Sequence, residues 1–224
     1  MRDVNVCRRA LLAALTAAAL LLSGCAALRP ADTILVVGDS LSAGYGLQPG
    51  TGWAWLLVPR LSAEQLVAKV VNVSVTGETT VTGRSKIERQ VSQYRPTVVV
   101  IEMGTNDAYG GVPLATIESD LRFMVQTAQQ AGARVMLVGV KMPSKLVGVK
   151  IPSKYGPAYQ AEFERIYSAV ASSTGSALVP NLLDRVANAP DVEQLFQADN
   201  THPNEQAQPI LLANVWPELR KLLR

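Results

Sequence analysis

Val36-Val37-Gly38-Asp39-Ser40-Leu41-Ser42 is the stretch on which the reading of this chain turns. The run from Thr33 to Val37 has the β-branched, apolar character of a strand buried on both faces. It stops at a glycine, an acid and a serine. A strand that ends this way places its last side chains at the carboxyl edge of a sheet, where open α/β folds bind ligands. Ser40 is therefore a candidate nucleophile. Gly-Asp-Ser is also an ordinary turn and helix N-cap sequence, so the assignment depends on partners elsewhere in the chain.

Outward from that stretch, strands and helices alternate. A glycine-rich turn (Gly44, Gly46, Gly50) leads to an apolar helix from Trp53 to about Leu66. Strand two is expected at Val70–Val73, followed by helical spacing over 82–95 with Ile87, Val91 and Tyr94 on one face. Thr97–Ile101 is the most strongly β-branched run and ends in Glu102-Met103-Gly104-Thr105-Asn106-Asp107. Pro113 opens an amphipathic helix that Gly132 stops. Strand four is expected at Arg134–Val140, a helix from Pro157 to about Ser173, strand five at Ala177–Val179, and a closing helix from about Glu205 to Leu223. This alternation predicts one α/β domain, a parallel sheet with helices on both faces and right-handed connections. In such a sheet the loops after the first three strands share one edge.

The chain has 224 residues, 48% hydrophobic and 17% charged, which suits a buried core and excludes a disordered chain. Of the net charge of +3, the first 24 residues supply +2, so the remainder gives no reason to expect a nucleic-acid partner. Arg8 and Arg9 precede an apolar run from Ala10 to Leu22, too short for a comfortable membrane span and suited to a signal peptide. It ends Leu22-Ser23-Gly24-Cys25, which resembles a bacterial lipobox. Residues 1–24 are thus expected to be a lipoprotein signal peptide, Cys25 the lipidated residue, 25–32 a linker and 33–224 the domain. More than one acyl chain is what stable anchoring requires. Alanine rather than aspartate at position 26 favours the outer membrane, facing the periplasm, by resemblance to Gram-negative lipoproteins. Cys7, the other of the two cysteines, lies in the discarded segment, so the domain has no thiol for a disulfide, a metal or nucleophilic catalysis.

One feature breaks the regular pattern. Residues 138–146 (VGVKMPSKL) are followed directly by 147–155 (VGVKIPSKY), a tandem duplication of nine residues too short to be a repeat architecture. The first copy is expected to complete strand four, because it follows Gly132 without slack. The second is then an enlarged loop at the carboxyl edge of the sheet, adding Lys150 and Lys154.

A serine hydroxyl is a poor nucleophile until a base takes its proton. The chain has one histidine, His202, so an imidazole base for Ser40 can only be His202. Asp199, three residues earlier, is within loop reach of Nδ1 and would orient the ring. Acyl transfer also needs donors for its oxyanion. The backbone N–H groups of Ser40 and Gly77 and the side-chain amide of Asn106 all follow strands on the same edge. Gly77 and Asn106 are equally at home as turn residues.

Gly38-Asp39-Ser40-Leu41, Asn72-x-Ser74-x-x-Gly77, Gly104-x-Asn106-Asp107 and Asp199-x-x-His202-Pro203 resemble, in order and spacing, the four blocks of the SGNH (GDSL) hydrolase family. The likeness spans about residues 33–222. It is closest to the bacterial branch of multifunctional acyl-CoA thioesterase I, protease I and lysophospholipase L1, through Ser42-Ala43-Gly44-Tyr45-Gly46, Gly77-Glu78-Thr79-Thr80 and Ile151-Pro152-x-x-Tyr155-Gly156-Pro157. The resemblance implies a three-layer α/β/α sandwich with a five-stranded parallel sheet of order 2-1-3-4-5. It also implies Ser40 as nucleophile, His202 as base, Asp199 as orienter, and an oxyanion hole at Ser40, Gly77 and Asn106. Leu41, the 108–113 segment with Tyr109, and Tyr155 with Pro157 would wall an acyl cleft. The paired glycines 110 and 111 mark that segment for movement. Thr105 and Asn200 depart from glycines usual at those positions in the family.

The function implied is that of a monomeric, lipid-anchored serine esterase without metal or cofactor. It would act on short to medium acyl esters, thioesters, arylesters or lysophospholipids. A carbohydrate O-acetyl esterase on the same scaffold and a catalytically silent envelope lipoprotein are the alternatives.

Overall fold

A computed structural model describes residues 31–141 and 156–224, apart from the side chain of Pro157. The expected signal peptide, the lipidation site Cys25, the second copy of the duplication and Tyr155 lie outside the described residues. The first copy is described only through Lys141.

Five strands form one parallel sheet: β1 (Asp32–Gly38), β2 (Ala68–Asn72), β3 (Val98–Glu102), β4 (Arg134–Val138) and β5 (Ala177–Val179), in the order β2-β1-β3-β4-β5. The helices are α1 (Ser40–Ala43), α2 (Trp53–Ala63), α3 (Thr80–Tyr94), α4 (Thr105–Gly110), α5 (Leu114–Gln130), α6 (Gly156–Thr174) and α7 (Gln208–Lys221). Alternate side chains of each strand feed two separate cores. Ile34, Val36, Val98, Val100 and Met136 pack with Trp53 and Leu57 of α2 and with Leu211 and Val215 of α7. Leu35, Val37, Val99, Ile101 and Leu137 pack with Ile87 of α3, with Leu121 and Met124 of α5, and with Phe163 of α6. A strand covered on both faces has no polar side to show, which is why β1 and β3 read as continuous apolar runs.

The expected elements are all present, with shifted ends. The helix from Trp53 stops at Ala63 because Gln65 turns into the left-handed region at φ 56°. The closing helix begins at Gln208 rather than near Glu205. The largest difference is α4: the segment after β3, expected to be loop, winds into a helix whose C-cap is Gly111 at φ 73°. Ala108, Tyr109 and Gly110 are therefore helical. Gly111 serves as a helix stop, and the Val112 N–H returns to the Asp107 carbonyl at 2.9 Å.

The register places the site. Gly38 pairs with Glu102, so β1 and β3 release their chains side by side. Beyond the strands, Val73 N–H donates to the Val36 carbonyl at 2.9 Å and Val75 N–H to the Gly38 carbonyl at 3.1 Å, which carries the β2 loop onto the same edge. Asp107 then joins α4 to α3. Its carboxylate is fully buried and accepts the Thr80 N–H at 2.9 Å and the Thr80 hydroxyl at 2.6 Å. An anion at the first turn of α3 is also favoured by the helix dipole. Asp107→Ala leaves the buried Thr80 N–H unpaired and its hydroxyl with only the longer bond to Asp120 Oδ2 at 3.4 Å. The expected loss is about 2 kcal/mol, or roughly 4–8 °C in Tm, read by thermal denaturation with Asp107→Asn falling between the two.

Candidate active site

The chain passes from the end of β1 directly into α1. Asp39 caps this short helix, its Oδ1 accepting the Leu41 N–H at 3.0 Å. Ser40 is the first helical residue, where helix geometry leaves the backbone N–H without an intrahelical acceptor. The turn requires Gly38: a Cβ there would stand 2.7 Å from Ser42 Cβ and 2.9 Å from the Glu102 carbonyl oxygen. Both distances are closer than any real contact.

The facing loop is held by its own backbone. Gln197 N–H donates to the His202 carbonyl at 2.8 Å and Asn204 N–H to the Leu195 carbonyl at 2.9 Å. Within it one carboxylate does two jobs. Asp199 Oδ1 accepts the N–H groups of Thr201 and His202 at 2.9 and 3.0 Å, and Oδ2 lies 2.7 Å from His202 Nδ1. An ionised carboxylate only accepts, so the ring proton sits on Nδ1 and Nε2 is the acceptor. Nε2 lies 2.9 Å from Ser40 Oγ. Partial burial pushes the Asp199 carboxyl up, but the His202 and Thr201 N–H groups and the imidazole outweigh it and hold it below the ordinary carboxylate value. Asp199 thus stays ionised into acid. Asn200 sits at φ 54°. This is a conformation glycine adopts freely and asparagine tolerates among side-chain-bearing residues, which accounts for asparagine where the family uses glycine.

The structure brings Ser40, His202 and Asp199 together. Asn106 also reaches the site, but its amide is already engaged, donating to the Glu78 carbonyl at 2.8 Å and to Asp39 Oδ2 at 3.2 Å. Gly77 has the positive φ of 80° that suits glycine and lies in the turn just before Glu78, but it does not line the cavity. Leu41 and Tyr109 do line it, as expected. The cavity, about 100 Å³, is closed further by Thr105, Val140, Leu183 and Thr201.

Four of the site's residues were not anticipated in their roles. Val140 and Leu183 come from the ends of β4 and β5, and only the strand order shows that their loops meet there. Tyr45 packs its ring on His202, centroids 4.5 Å apart. Glu102, fully buried at the end of β3, stands behind the turn that carries Ser40. The tyrosine was visible in the sequence as part of a motif, and the glutamate as an acid ending an apolar strand. Among the described residues no group of three His, Cys, Asp or Glu side chains is arranged to hold a metal.

A parallel sheet carrying serine, imidazole and carboxylate in hydrogen-bond series at its carboxyl edge defines a serine hydrolase. The family model of the GDSL-like lipase/acylhydrolases matches residues 36–209. The chain belongs to that family, and it is a carboxylic ester hydrolase. It is 42% identical over 211 residues to esterase TesA of Pseudomonas aeruginosa, covering 92% of this chain and 99% of that one. It is 31% identical over 193 residues to thioesterase 1/protease 1/lysophospholipase L1 of Escherichia coli, covering 86% of each. The crystal structure of TesA superposes with a TM-score of 0.77 at 41% identity, covering 85% of this chain and 99% of that one.

The strain argument at Asn200 gives a direct test. Asn200→Gly keeps the loop and retains ester hydrolysis within about twofold. Asn200→Val pays for a left-handed β-branched residue with ~1–2 kcal/mol of distortion and loses about tenfold in kcat/KM. Steady-state hydrolysis of a p-nitrophenyl ester distinguishes the two.

Proposed function

We propose that Ser40 is the nucleophile, His202 the general base and Asp199 its orienter in a serine esterase of broad acyl specificity. The observation that carries this reading is the series Asp199 Oδ2–His202 Nδ1 at 2.7 Å and His202 Nε2–Ser40 Oγ at 2.9 Å. The Ser40 proton passes to Nε2 as Oγ attacks the acyl carbon. The imidazolium, facing the Asp199 anion, returns that proton to the departing alcohol or thiol. Water then enters, gives a proton to Nε2 and attacks the acyl-Ser40 carbonyl; the bond to Oγ breaks, the imidazolium returns the proton to Oγ, and the acid leaves. The N–H groups of Ser40 and Gly77 and the Asn106 amide stabilise the oxyanion. For Asn106 this means turning toward substrate the N–H that Asp39 holds at 3.2 Å.

Substrates are short to medium acyl esters, thioesters, arylesters and lysophospholipids. The relatives' names as esterase and as thioesterase/lysophospholipase support these classes. The apolar lining by Leu41, Val140 and Leu183 favours an acyl chain over a sugar, and the cavity of about 100 Å³ takes its first few carbons. The enzyme acts as a monomer anchored through lipidated Cys25 in the outer membrane, facing the periplasm.

Ser40→Ala is expected to lower p-nitrophenyl butyrate hydrolysis by about 10⁴-fold or more with an unchanged circular dichroism spectrum; retained activity excludes Ser40 as nucleophile. A panel of p-nitrophenyl esters and acyl-CoAs of increasing length then ranks the substrates. Cys25→Ser should move the enzyme from the membrane fraction to the soluble fraction after cell disruption, and a variant that stays membrane-bound excludes the lipid anchor.

A further inference from the structure

Glu102 is fully buried, and neither the nucleophile, the base nor the oxyanion donors account for it. Its Oε2 accepts the Ser42 hydroxyl at 2.7 Å. Its Oε1 is buried with no hydrogen-bond partner of ordinary geometry among the described residues. The side chain it does meet is the carboxyl of Asp39, itself 1% exposed. Two ionised carboxylates in contact in a dry site repel, and each lacks a donor from the other. One proton between them removes the repulsion and supplies the partner that Oε1 lacks.

The structure assigns to Asp39 and Glu102 a buried carboxyl pair holding a single proton, carried by Glu102 and donated to Asp39. This makes Glu102 a positioning residue for the nucleophile turn. Glu102 then uses both oxygens, one as acceptor from Ser42 and one as donor to Asp39. Asp39 remains an anion that accepts from Leu41 N–H at 3.0 Å and from the Asn106 amide at 3.2 Å. Those two bonds set the pitch of α1, which presents Ser40, and hold the Asn106 amide at the site. Gly38 belongs to the same device: only a residue without Cβ lets Ser42 approach closely enough to reach Glu102.

The surroundings agree on which acid keeps the proton. Burial, and then the charge of Asp39, push the Glu102 carboxyl well above its ordinary value. Burial raises Asp39 only to about 6, with the Leu41 N–H, and His202 in its charged form, opposing the rise. Asp107 raises Asp39 slightly and is itself occupied by Thr80. Tyr109 from α4 and Tyr167 from α6 also face the pair. Burial first, and then these carboxylates, raise both hydroxyls, so both tyrosines stay neutral and add no further negative charge beside the pair. Among the described residues no lysine or arginine is hydrogen-bonded to either carboxyl. Between pH 6 and the high value of Glu102 the pair carries one proton and one charge. Below about pH 6 Asp39 also protonates, and its hold on Leu41 and Asn106 weakens.

Infrared spectroscopy of the whole enzyme at pH 8 tests the pair. The C=O stretch of a protonated carboxylic acid should be present in the wild type and absent in Glu102→Gln. The carboxamide mimics the protonated acid, with N–H donating to Asp39 and oxygen accepting from Ser42, so Glu102→Gln should keep kcat within about threefold. Glu102→Ala leaves Asp39 and Ser42 without their partner and should lower kcat by about tenfold with little change in KM. Absence of the protonated-acid band in the wild type overturns the proposal, as does a Glu102→Gln enzyme as slow as Glu102→Ala. If Glu102→Ala does not fold, the band in wild type and its loss in Glu102→Gln still decide. The positioning role rests on Ser40 as nucleophile. The infrared signal does not, and can be recorded in Ser40→Ala, so failure of one reading is distinguishable from failure of the other.

Discussion

The hydrogen bond from Ser40 Oγ to His202 Nε2 joins residues 162 positions apart, one at the end of the first strand and one just before the last helix. Neither residue can place the other, so the contact exists only if the two ends of the chain are fixed against each other. Three polar contacts at the carboxyl edge do this. Gln208 Oε1 accepts the Trp53 N–H at 3.0 Å, Gln197 Nε2 donates to the Tyr45 carbonyl at 2.8 Å, and Glu205 Oε1 accepts the Gln48 N–H at 3.3 Å. The segment that follows Ser40 is thereby the docking platform of the loop that carries His202. At the opposite edge Asp32 accepts the Thr97 hydroxyl at 2.6 Å and the Arg224 N–H at 2.8 Å and pairs with Arg134, which pins the last residue beside the first strand. The apolar cores of α2 and α7 supply the bulk of the cohesion. The polar contacts supply the alignment, since burial of apolar area is not directional.

Stability and alignment pull against each other at the ends of β1 and β3. Asp39, Glu102, Asp107 and Asp120 are all nearly or fully buried within one stretch of the fold. Replacing buried ionic groups by apolar ones commonly stabilises a protein, so their presence asks for another reason. Each has a positional task. Asp107 holds Thr80, and through it the loop bearing Gly77, against α4. Asp120 takes Arg84 at 2.8 Å and fastens α5 to α3. Asp39 and Glu102 fix the turn that presents Ser40. The local rule broken here, that acids belong at the surface, is broken where the chemistry is, as expected of sites where precision outweighs stability.

Much of this was legible in the sequence. The β-branched runs, the glycine and proline punctuation and the single histidine sufficed for the sheet, its connections and the serine–histidine–aspartate set, because each is a local pattern or a matter of counting. What was not legible depends on tertiary position. The α4 helix looked like loop because Gly104, Gly110 and Gly111 dominate its composition. It forms because Asp107 is anchored from α3, and Gly104 at φ 119° and Gly111 at φ 73° bracket it as caps. Val140 and Leu183 as cavity walls required the neighbouring ends of β4 and β5. The engagement of Asn106 by Asp39 and Glu78 required atomic distances.

The tandem duplication shows how a local insertion is tolerated beside a precise site. Before the second copy begins, the first is already committed. Gly139 N–H donates to the Val179 carbonyl at 2.8 Å, the Gly139 carbonyl accepts Leu182 N–H at 2.8 Å, and Lys141 N–H donates to Asn181 Oδ1 at 3.0 Å. Gly139 itself has little freedom, since a Cβ there would lie 2.8 Å from the Pro180 carbonyl oxygen. The register of β4 against β5 and the placement of Val140 in the cavity wall are thus set by residues that precede position 142. Nine extra residues after that point cannot slip the strand. They lengthen a connection, and the entropic cost of closing a loop grows only with the logarithm of its length. The placement of Val140 in the cavity wall with Ser40 and His202 is thus fixed by contacts made before position 142.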